Sequence, residues 1–480
     1  MEEKKDGNGN YELKRELKTR HLTMIAIGGS IGTGLFVGMG FNFTTAGPGG
    51  TLLAYIFTGI TVYFMMYSLG EMSTYLPLSG SFSDYCTRFV DPAFGFAVGI
   101  GYAISWPIVV GSELVAGVMI TQYWFPNVNP ILLSLVFLAI IYLLNVLTAK
   151  GYGEGEFWFS TIKVFTVLVF LILGLLMILG VLGGTSPGVS NWTTDKAPFV
   201  GGAVGVISCF LIAGYSFQGT EAVGIASGET ADPAKTMPKA IKSVFWRILI
   251  FYIGTVIVIG FLISYKDPNL AKTGIENISY SPFTLVFKRA GLSFAATVMN
   301  AVILSAVLSC GNAGLYLGSR LLSAMAKNGQ GFKYFGKINK RGIPFRALNL
   351  CTIIAGLCFL LTQVGLTTAY YWLLNIGASL GFLVWFAIAI SHLRFRKAYL
   401  AQGNKLEDLK FKAKLFPFGP IFTCILCIVI MIGQYYANGV YSFMGLVVAY
   451  GGLVVVFIIF LAYKFIRKTK FVKLSTPTSF

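Results

Sequence analysis

A carboxylate, Glu221, lies inside an apolar stretch that is otherwise long enough to cross a membrane, directly after Phe-Gln-Gly-Thr at 217–220. Placing a charge in the middle of a membrane-spanning helix costs about 2.5–3.5 kcal/mol, so such a residue persists where it faces a cavity or a partner. Glu113 and Lys163 are ionisable residues in two other apolar stretches. Side chains of these types in such surroundings indicate recognition of an ammonium group or transfer of a proton.

The composition is that of an integral membrane protein. Of 480 residues, 55% are hydrophobic and 12% are charged, about half the charged fraction of a soluble domain. The mean hydropathy is +0.73. The first 20 residues are too polar for a cleavable signal peptide, which needs an apolar core, so we expect the first membrane helix to direct insertion.

Apolar runs of about 20 residues, the length that spans roughly 30 Å of hydrocarbon, predict an all-α protein with about twelve membrane helices. The predicted helices are 22–41, 50–76, 93–125, 130–148, 156–183, 202–228, 243–265, 291–326, 346–365, 368–395, 417–437 and 442–466. The segment 281–290 is too short to span the membrane. We expect it to form an amphipathic helix lying over an entrance.

Basic residues set the expected orientation, because cytoplasmic loops retain Lys and Arg. They cluster before the first helix, after the last one, and in alternate loops near 235–242, 327–341 and 394–414. We therefore expect both termini on the cytoplasmic side of the cytoplasmic (inner) membrane. The net charge of +18 is explained by this topology and by attraction to anionic membrane lipid, so no nucleic acid partner is expected.

Cysteine and histidine give no sign of a metal or cofactor site. The seven cysteines are scattered, almost all in apolar segments. Cys424 and Cys427 have the spacing of a metal or redox motif, but no second pair or nearby histidine accompanies them, so packing is the expected role. His21 and His392, the two histidines, lie at predicted helix ends, where an interfacial role is expected.

The first predicted helix contains the glycine-rich sequence Gly-Gly-Ser-Ile-Gly-Thr-Gly at 28–34. A dinucleotide-binding loop is excluded, because that motif follows a strand, whereas apolar helix lies on both sides here. Glycine at this density lowers helix propensity by about 1 kcal/mol per residue and favours an unwound backbone whose polar groups a bound substrate would satisfy. Close helix packing, as between Gly28 and Gly32, is the alternative and accounts for part of the pattern.

A second break is predicted in the sixth helix, at 214–220. The first and sixth helices lead two halves of five helices each, and breaks at corresponding positions of two halves are typical of secondary transporters with inverted repeats. The expected organisation is a tail at 1–21, the first repeat at 22–183, the second repeat at 184–395, a loop and two helices at 396–466, and a tail at 467–480.

Several stretches resemble a known family. The matching segments are 15–36, 217–221, 228–235, 281–287 and 301–309, within a likeness that covers roughly residues 13–475. By these segments the chain is similar to the bacterial amino acid transporter family of the amino acid-polyamine-organocation (APC) superfamily, and within it to the lysine-specific permeases. The resemblance implies a leucine-transporter-type fold, with five helices, an inverted five and two peripheral helices.

The resemblance also implies a binding site for an amino acid between the two broken helices. Its carboxylate would meet N–H groups of the first helix, its α-amino group would meet carbonyls near Ile27 and 215–217, and Glu221 would take the ε-ammonium of lysine. The expected substrate-binding residues are Ile27, Ser30, Gly32, Thr33, Gly34, Glu113, Tyr215, Ser216, Phe217, Gln218, Thr220 and Glu221. Tyr215, Phe217 and Trp106 are candidates for an outer gate, with ordinary apolar lining as the alternative.

Each charged candidate has a second interpretation. Glu221 could form a structural ion pair or bind a proton without touching substrate, and Glu113 could only tune affinity. Lys163 lies where sodium-coupled relatives bind an ion, so Lys163 and Glu221 are the expected proton-coupling residues; snorkelling of Lys163 to the membrane edge is the alternative. Glu71 and Glu229 are expected in ion pairs near helix ends.

The leading hypothesis is import of L-lysine by proton symport, without a cofactor. A cationic amino acid exchanger, for lysine, arginine or ornithine, is the first alternative. A membrane sensor that binds lysine and acts through a regulatory membrane protein partner is another, although Glu276 only partly matches the acidic loop of relatives. An enzyme is disfavoured, because no nucleophile, metal or cofactor constellation appears. Selectivity is left open by the tenth helix, whose sequence at 374–381 carries few hydroxyl residues.

Overall fold

The structure is a computed structural model, and it describes residues 20–21, 24, 31–146, 149–183, 186–230, 232–272, 281–437 and 443–474. Regular structure there is helical. Twelve long helices, α1 to α12, correspond to the twelve predicted spans. Their bounds are 34–46 for α1 and 48–75 for α2, which form one kinked helix Gly34–Tyr75, then Pro92–Thr121 (α3), Pro130–Asn145 (α4), Ala149–Ile178 (α5), Gly202–Ala226 (α6), Lys235–Leu262 (α7), Ser293–Lys327 (α8), Phe345–Val364 (α9), Leu366–Ala401 (α10), Phe418–Ala437 (α11) and Phe443–Arg467 (α12).

The kink between α1 and α2 is at Gly47, where φ is 70°. Glycine adopts this left-handed conformation without steric cost, and Pro48 follows it without an N–H to donate. A Cβ at Gly47 would meet the carbonyl oxygen of Pro198 at 2.8 Å, and the same oxygen accepts a hydrogen bond from Gly49 N at 2.9 Å. The loop before α6 thus holds the corner between the first two helices.

Short helices connect several of the spans, at Phe82–Phe89, Ser190–Thr193, Pro268–Lys272 and Pro282–Arg289. The last of these confirms the predicted short helix, and Ser281 caps it by accepting a hydrogen bond from Thr284 N at 3.4 Å. Its Phe283 is fully buried, with its ring centroid 4.9 Å from that of Phe36 and 4.3 Å from that of Phe170. The short helix therefore packs tightly over α1 and α5.

The core of the bundle is formed by α3, α8, α10 and the pair α1–α2 with α6. Central helices such as α10 are mostly buried, whereas α12 exposes a row of large apolar side chains, including Val454, Phe457 and Ile458, as expected of a peripheral helix in lipid. The basic loops lie at one end of the bundle, which we call the basic face. Three ion pairs join helix ends there: Glu71–Arg396, Glu229–Arg320 and Asp91–Lys464.

Candidate transport site

The predicted break in α6 is confirmed. Its first part ends at Phe217, Gln218 is extended, and Gly219 has a φ of 90°, which favours glycine. The helix resumes as Ala222–Ala226. The turn keeps local hydrogen bonds, with Gln218 N donating to Tyr215 O at 3.2 Å and the Thr220 hydroxyl to Phe217 O at 2.6 Å. Phe217 O also accepts from Thr220 N at 3.3 Å, whereas Tyr215 O keeps a second lone pair that could accept from a ligand.

The start of α1 lies against this break. Ile31 and Gly32 are not helical, and residues Gly34–Gly38 form wide π-helical turns. A Cβ on Gly34 would lie 2.7 Å from the Cα of Ser216, so only glycine allows the two backbones to approach this closely. The predicted residues Ile27 and Ser30 lie outside the described residues. The structure thus brings the described ends of the two broken segments together.

A small cavity of about 10 Å³ lies between the breaks, at the lower limit of room for one water molecule. It is lined by Gly32, Gly34, Trp106, Val109, Glu113, Tyr215, Gln218 and Cys310. Five of these lining residues were predicted substrate-binding residues. In this closed form, a substrate of amino acid size fits only after side chains or helix segments move apart.

Glu113 is the charged residue of the cavity wall, and it is buried. Its Oε1 accepts hydrogen bonds from the hydroxyl of Thr33 at 2.9 Å and from that of Tyr215 at 3.1 Å. Within the described part of the chain, Oε2 accepts none. One carboxylate oxygen thus joins α1, α3 and α6, and the other is available to an ammonium group.

Glu221 is also buried, but the described residues that line the cavity do not include it. Oε1 accepts from the Tyr102 hydroxyl at 2.8 Å and from Gly219 N at 3.2 Å, and Oε2 accepts from Trp385 Nε1 at 3.2 Å. The Tyr102 ring lies edge-on to that of Trp106, with centroids 5.6 Å apart, and Trp106 lines the cavity. Tyr102 thus connects Glu221 to Trp106 of the cavity wall.

Lys163 is fully buried on α5. The snorkelling alternative is wrong, because that alternative requires an ammonium at the membrane edge. Lys163 interacts electrostatically with two carboxylates, Glu113 on the cavity wall and Glu156 on its own helix. The lysine therefore lies within electrostatic reach of the cavity without lining it.

The family described as "Amino acid permease" matches residues 21–476. The chain belongs to the amino acid permease family.

The permease is similar over nearly its whole length to proteins named for their substrates. It is 49% identical to the lysine-specific permease LysP of Escherichia coli, over 96% of both chains, and 46% identical to LysP of Lactococcus lactis, over 99% of the permease and 94% of that relative. It is 50% identical to the histidine permease HisP of L. lactis, over 86% of the permease and 87% of that relative. Family membership makes it a multi-pass membrane transporter of the APC superfamily rather than an enzyme, and it confirms the predicted fold class.

Three predicted side chains of the permease face away from the cavity. The Ser216 hydroxyl lies 3.0 Å from that of Tyr55 on α2, and the ring centroid of Phe217 lies 4.0 Å from that of Tyr252 on α7. Thr220 accepts a hydrogen bond from Arg247, a buried arginine of α7 that also interacts electrostatically with Glu221. These contacts tie the break of α6 to the two helices behind it.

The ion pairs expected of Glu71 and Glu229 are confirmed. Glu71 accepts from Arg396 at 2.6 Å on each oxygen and lies 3.1 Å from His392 Nε2, while Glu229 pairs with Arg320 at 3.3 Å. The buried polar residues that were missed in the sequence include Tyr102, Glu156, Arg247 and Trp385. Glu156 had a usable signal, since it precedes Lys163 by seven residues, two turns of one helix.

Proposed function

We propose that the permease imports L-lysine by proton symport across the cytoplasmic membrane, with both termini in the cytoplasm. The observation that carries this proposal is the cavity between two broken helices, with the carboxylate of Glu113 on its wall and buried Lys163 within electrostatic reach. A buried carboxylate suits an ammonium ligand, and a buried lysine suits proton exchange. The relatives named lysine-specific permeases support the substrate.

The ends of the lysine backbone would bind at the two helix breaks. The substrate carboxylate would accept from N–H groups near Gly32, Thr33 and Gly34, with Ser30, where the positive end of the α1 dipole would stabilise it. The α-amino group would be shared between carbonyls near Ile27, those of residues 215–217, and Oε2 of Glu113. These contacts bind the carboxylate and the α-amino group, which every amino acid has.

Glu221 would supply the selectivity for a second ammonium. In the closed form Glu221 does not line the cavity and accepts from Tyr102, whose ring packs against Trp106. The ε-ammonium would reach Glu221 when these rings move and Tyr102 gives up its hydrogen bond. A neutral or acidic amino acid offers this carboxylate no ammonium in exchange for the hydrogen bond that Tyr102 gives up, which opposes binding. Unlabelled lysine should therefore compete with labelled lysine far better than leucine or glutamate does.

Histidine is the second candidate substrate, because one relative of 50% identity is named a histidine permease. The two carboxylates favour lysine, since its α- and ε-ammonium groups are both cationic at neutral pH, whereas the imidazole is mostly neutral. Competition by histidine against labelled lysine measures this difference directly. Equal competition by histidine would contradict selectivity for lysine.

Transport by purified protein in sealed liposomes tests the function. Labelled lysine should accumulate inside when an inward proton gradient is imposed and should not depend on sodium. Uptake that needs internal lysine and ignores the gradient would identify an exchanger. Binding of lysine without uptake in either assay would identify a sensor.

A further inference from the structure

A further buried carboxylate lies behind the cavity, in a cluster built by α4, α5 and α8. Glu156 is fully buried and accepts hydrogen bonds from Asn312 Nδ2 at 2.9 Å and from the Ser309 hydroxyl at 3.0 and 3.2 Å. Asn145 Nδ2 donates to Asn312 Oδ1 at 2.8 Å, which turns the amide of Asn312 so that its NH₂ group faces Glu156. The cluster therefore offers donors to an ionised carboxylate.

The cost of burying a carboxylate argues for a role beyond packing. An isolated charge removed from water loses several kcal/mol, and well-packed apolar residues often replace buried ion pairs without loss of stability. Asn145, Ser309 and Asn312 come from two neighbouring helices and are all buried, so three further polar side chains are committed to this one acid. Such a site is suited to a group that changes its protonation state during a cycle.

Lys163 stands between this acid and the cavity. It follows Glu156 by seven residues, about 10 Å along the helix axis, on the same face. Helical side chains lean toward the N-terminus, so the lysine chain points back along α5 toward Glu156. Its ammonium interacts electrostatically with Glu156 and also with Glu113. From the cavity toward the basic face, the order of these groups is thus Glu113, Lys163 and Glu156.

A stack of side chains closes the remaining distance to the basic face. The Tyr152 ring lies one turn before Glu156 and stacks on that of Tyr316, with centroids 3.9 Å apart. The Arg320 guanidinium lies 4.1 Å from the centroid of Tyr316 and pairs with Glu229, just after α6. Opening of this stack would give water at the basic face access to Glu156, and the closed stack would hinder proton leakage.

We propose that Glu156 is the inner proton acceptor of the transport cycle, taking from Lys163 the proton that entered on the cavity side through Glu113. In this step an N–H bond of the ammonium breaks and an O–H bond forms on the carboxylate, so a charged pair becomes a neutral amine and a neutral acid. Opening of the Tyr152–Tyr316 stack lets the acid release its proton to water at the basic face. This inference rests on the proposed proton symport.

The test compares Glu156→Gln with wild type in sealed liposomes, by two measurements. Gradient-driven accumulation of labelled lysine should be lost, whereas counterflow, the exchange of external for internal lysine without a gradient, should persist because it needs no net proton release. Glu154→Gln is the matched control: it makes the same change two residues away on α5, in a part-exposed carboxylate paired with Arg20, and should retain both activities. Wild-type accumulation by Glu156→Gln would overturn the inference.

A second variant tests the proposal if Glu156→Gln fails to fold. If Glu156→Gln loses both activities, Ser309→Ala keeps the carboxyl group and removes one donor to its ionised form. The pH profile of accumulation should then move to higher pH, and an unchanged profile would overturn the proposal. Wild-type protein that shows counterflow but no gradient-driven accumulation would overturn the symport proposal itself, and this inference with it.

Discussion

The side chain of Gln218, at the break in α6, donates hydrogen bonds to the carbonyl oxygens of Gly377 at 3.2 Å and Ala378 at 3.0 Å on α10. These acceptors are main-chain atoms of an intact helix, so Gln218 fastens the broken helix to a rigid neighbour. The side-chain amide of Gln218 packs directly against Gly381, where a Cβ would collide with Gln218 Nε2. The packing of α10 therefore positions the turn that forms one wall of the cavity.

Gly381→Ala should weaken lysine transport by displacing this amide. The loss of hydrogen bonds to two buried carbonyls is worth about 1–3 kcal/mol, expressed as a lower kcat/KM for lysine uptake. Gly452→Ala is the matched control, because its Cβ would make only ordinary contacts of 3.5 Å. Uptake by Gly381→Ala equal to that of the control would show that Gln218 does not hold the break.

Glu221→Gln should weaken lysine binding by about 1–3 kcal/mol, the scale of a lost charge-assisted hydrogen bond. The reason is that the substitution keeps the shape of the side chain and removes the charge proposed to meet the ε-ammonium. Titration calorimetry of the purified protein measures the change in Kd.

Two comparisons distinguish binding of the ε-ammonium by Glu221 from a structural ion pair between Glu221 and Arg247. Tyr102→Phe removes a donor to Glu221 but keeps the charge, so it should retain lysine binding. If Glu221 serves only Arg247, Glu221→Gln should instead lower the melting temperature and leave the Kd of the folded protein unchanged. That outcome would contradict the assignment to substrate.

The sequence predicts the features of this site that depend on local chemistry. Glycines beside polar residues interrupt an apolar run at 214–220, and this marks the break of α6 without any tertiary information. The partners of Glu221 could not be found in this way, because Tyr102 and Trp385 lie 119 and 164 residues away in the chain. Which face of each helix meets its neighbours is decided by packing, and several faces are equally apolar.

The boundary between the first two helices also depends on a contact between residues distant in the sequence. The predicted gap at 42–49 is helical on both sides of a single kink, because the positive φ of Gly47 and its contact with the Pro198 carbonyl turn the chain within one residue. A Gly-Pro sequence predicts a boundary but not the distant loop that makes the turn so tight.

Lys163→Gln should abolish proton-driven accumulation more severely than it weakens lysine binding. The substitution removes the ammonium that links Glu113 to Glu156 but leaves every described residue of the cavity wall in place. Accumulation under an inward proton gradient and binding in detergent are measured on the same preparation. Full accumulation by the variant would rule out this role and leave Glu113 as the coupling residue.

Asp91, just before α3 at the basic face, is expected to stabilise the folded protein. It caps the helix by accepting from Ala93 N at 2.8 Å, accepts from the Thr469 hydroxyl at 2.8 Å, and pairs with Lys464 of α12. Burial disfavours the charge, but the Lys464 ammonium and the two other donors outweigh burial and hold the pKa of Asp91 below its ordinary value. A lowered pKa in the folded state means that the ionised form stabilises the fold.

Asp91→Asn keeps the helix cap and removes the charge, so it should lower the free energy of unfolding by about 1 kcal/mol at neutral pH. The stabilisation by Asp91 is fully present above the ordinary aspartate pKa of about 3.9 and is lost as the pH falls through the lower pKa of the folded state. Melting temperatures of both proteins in detergent, measured from pH 7 downward, should therefore converge at the acid end. A constant difference across this range would show that the Asp91–Lys464 pair does not contribute through its charge.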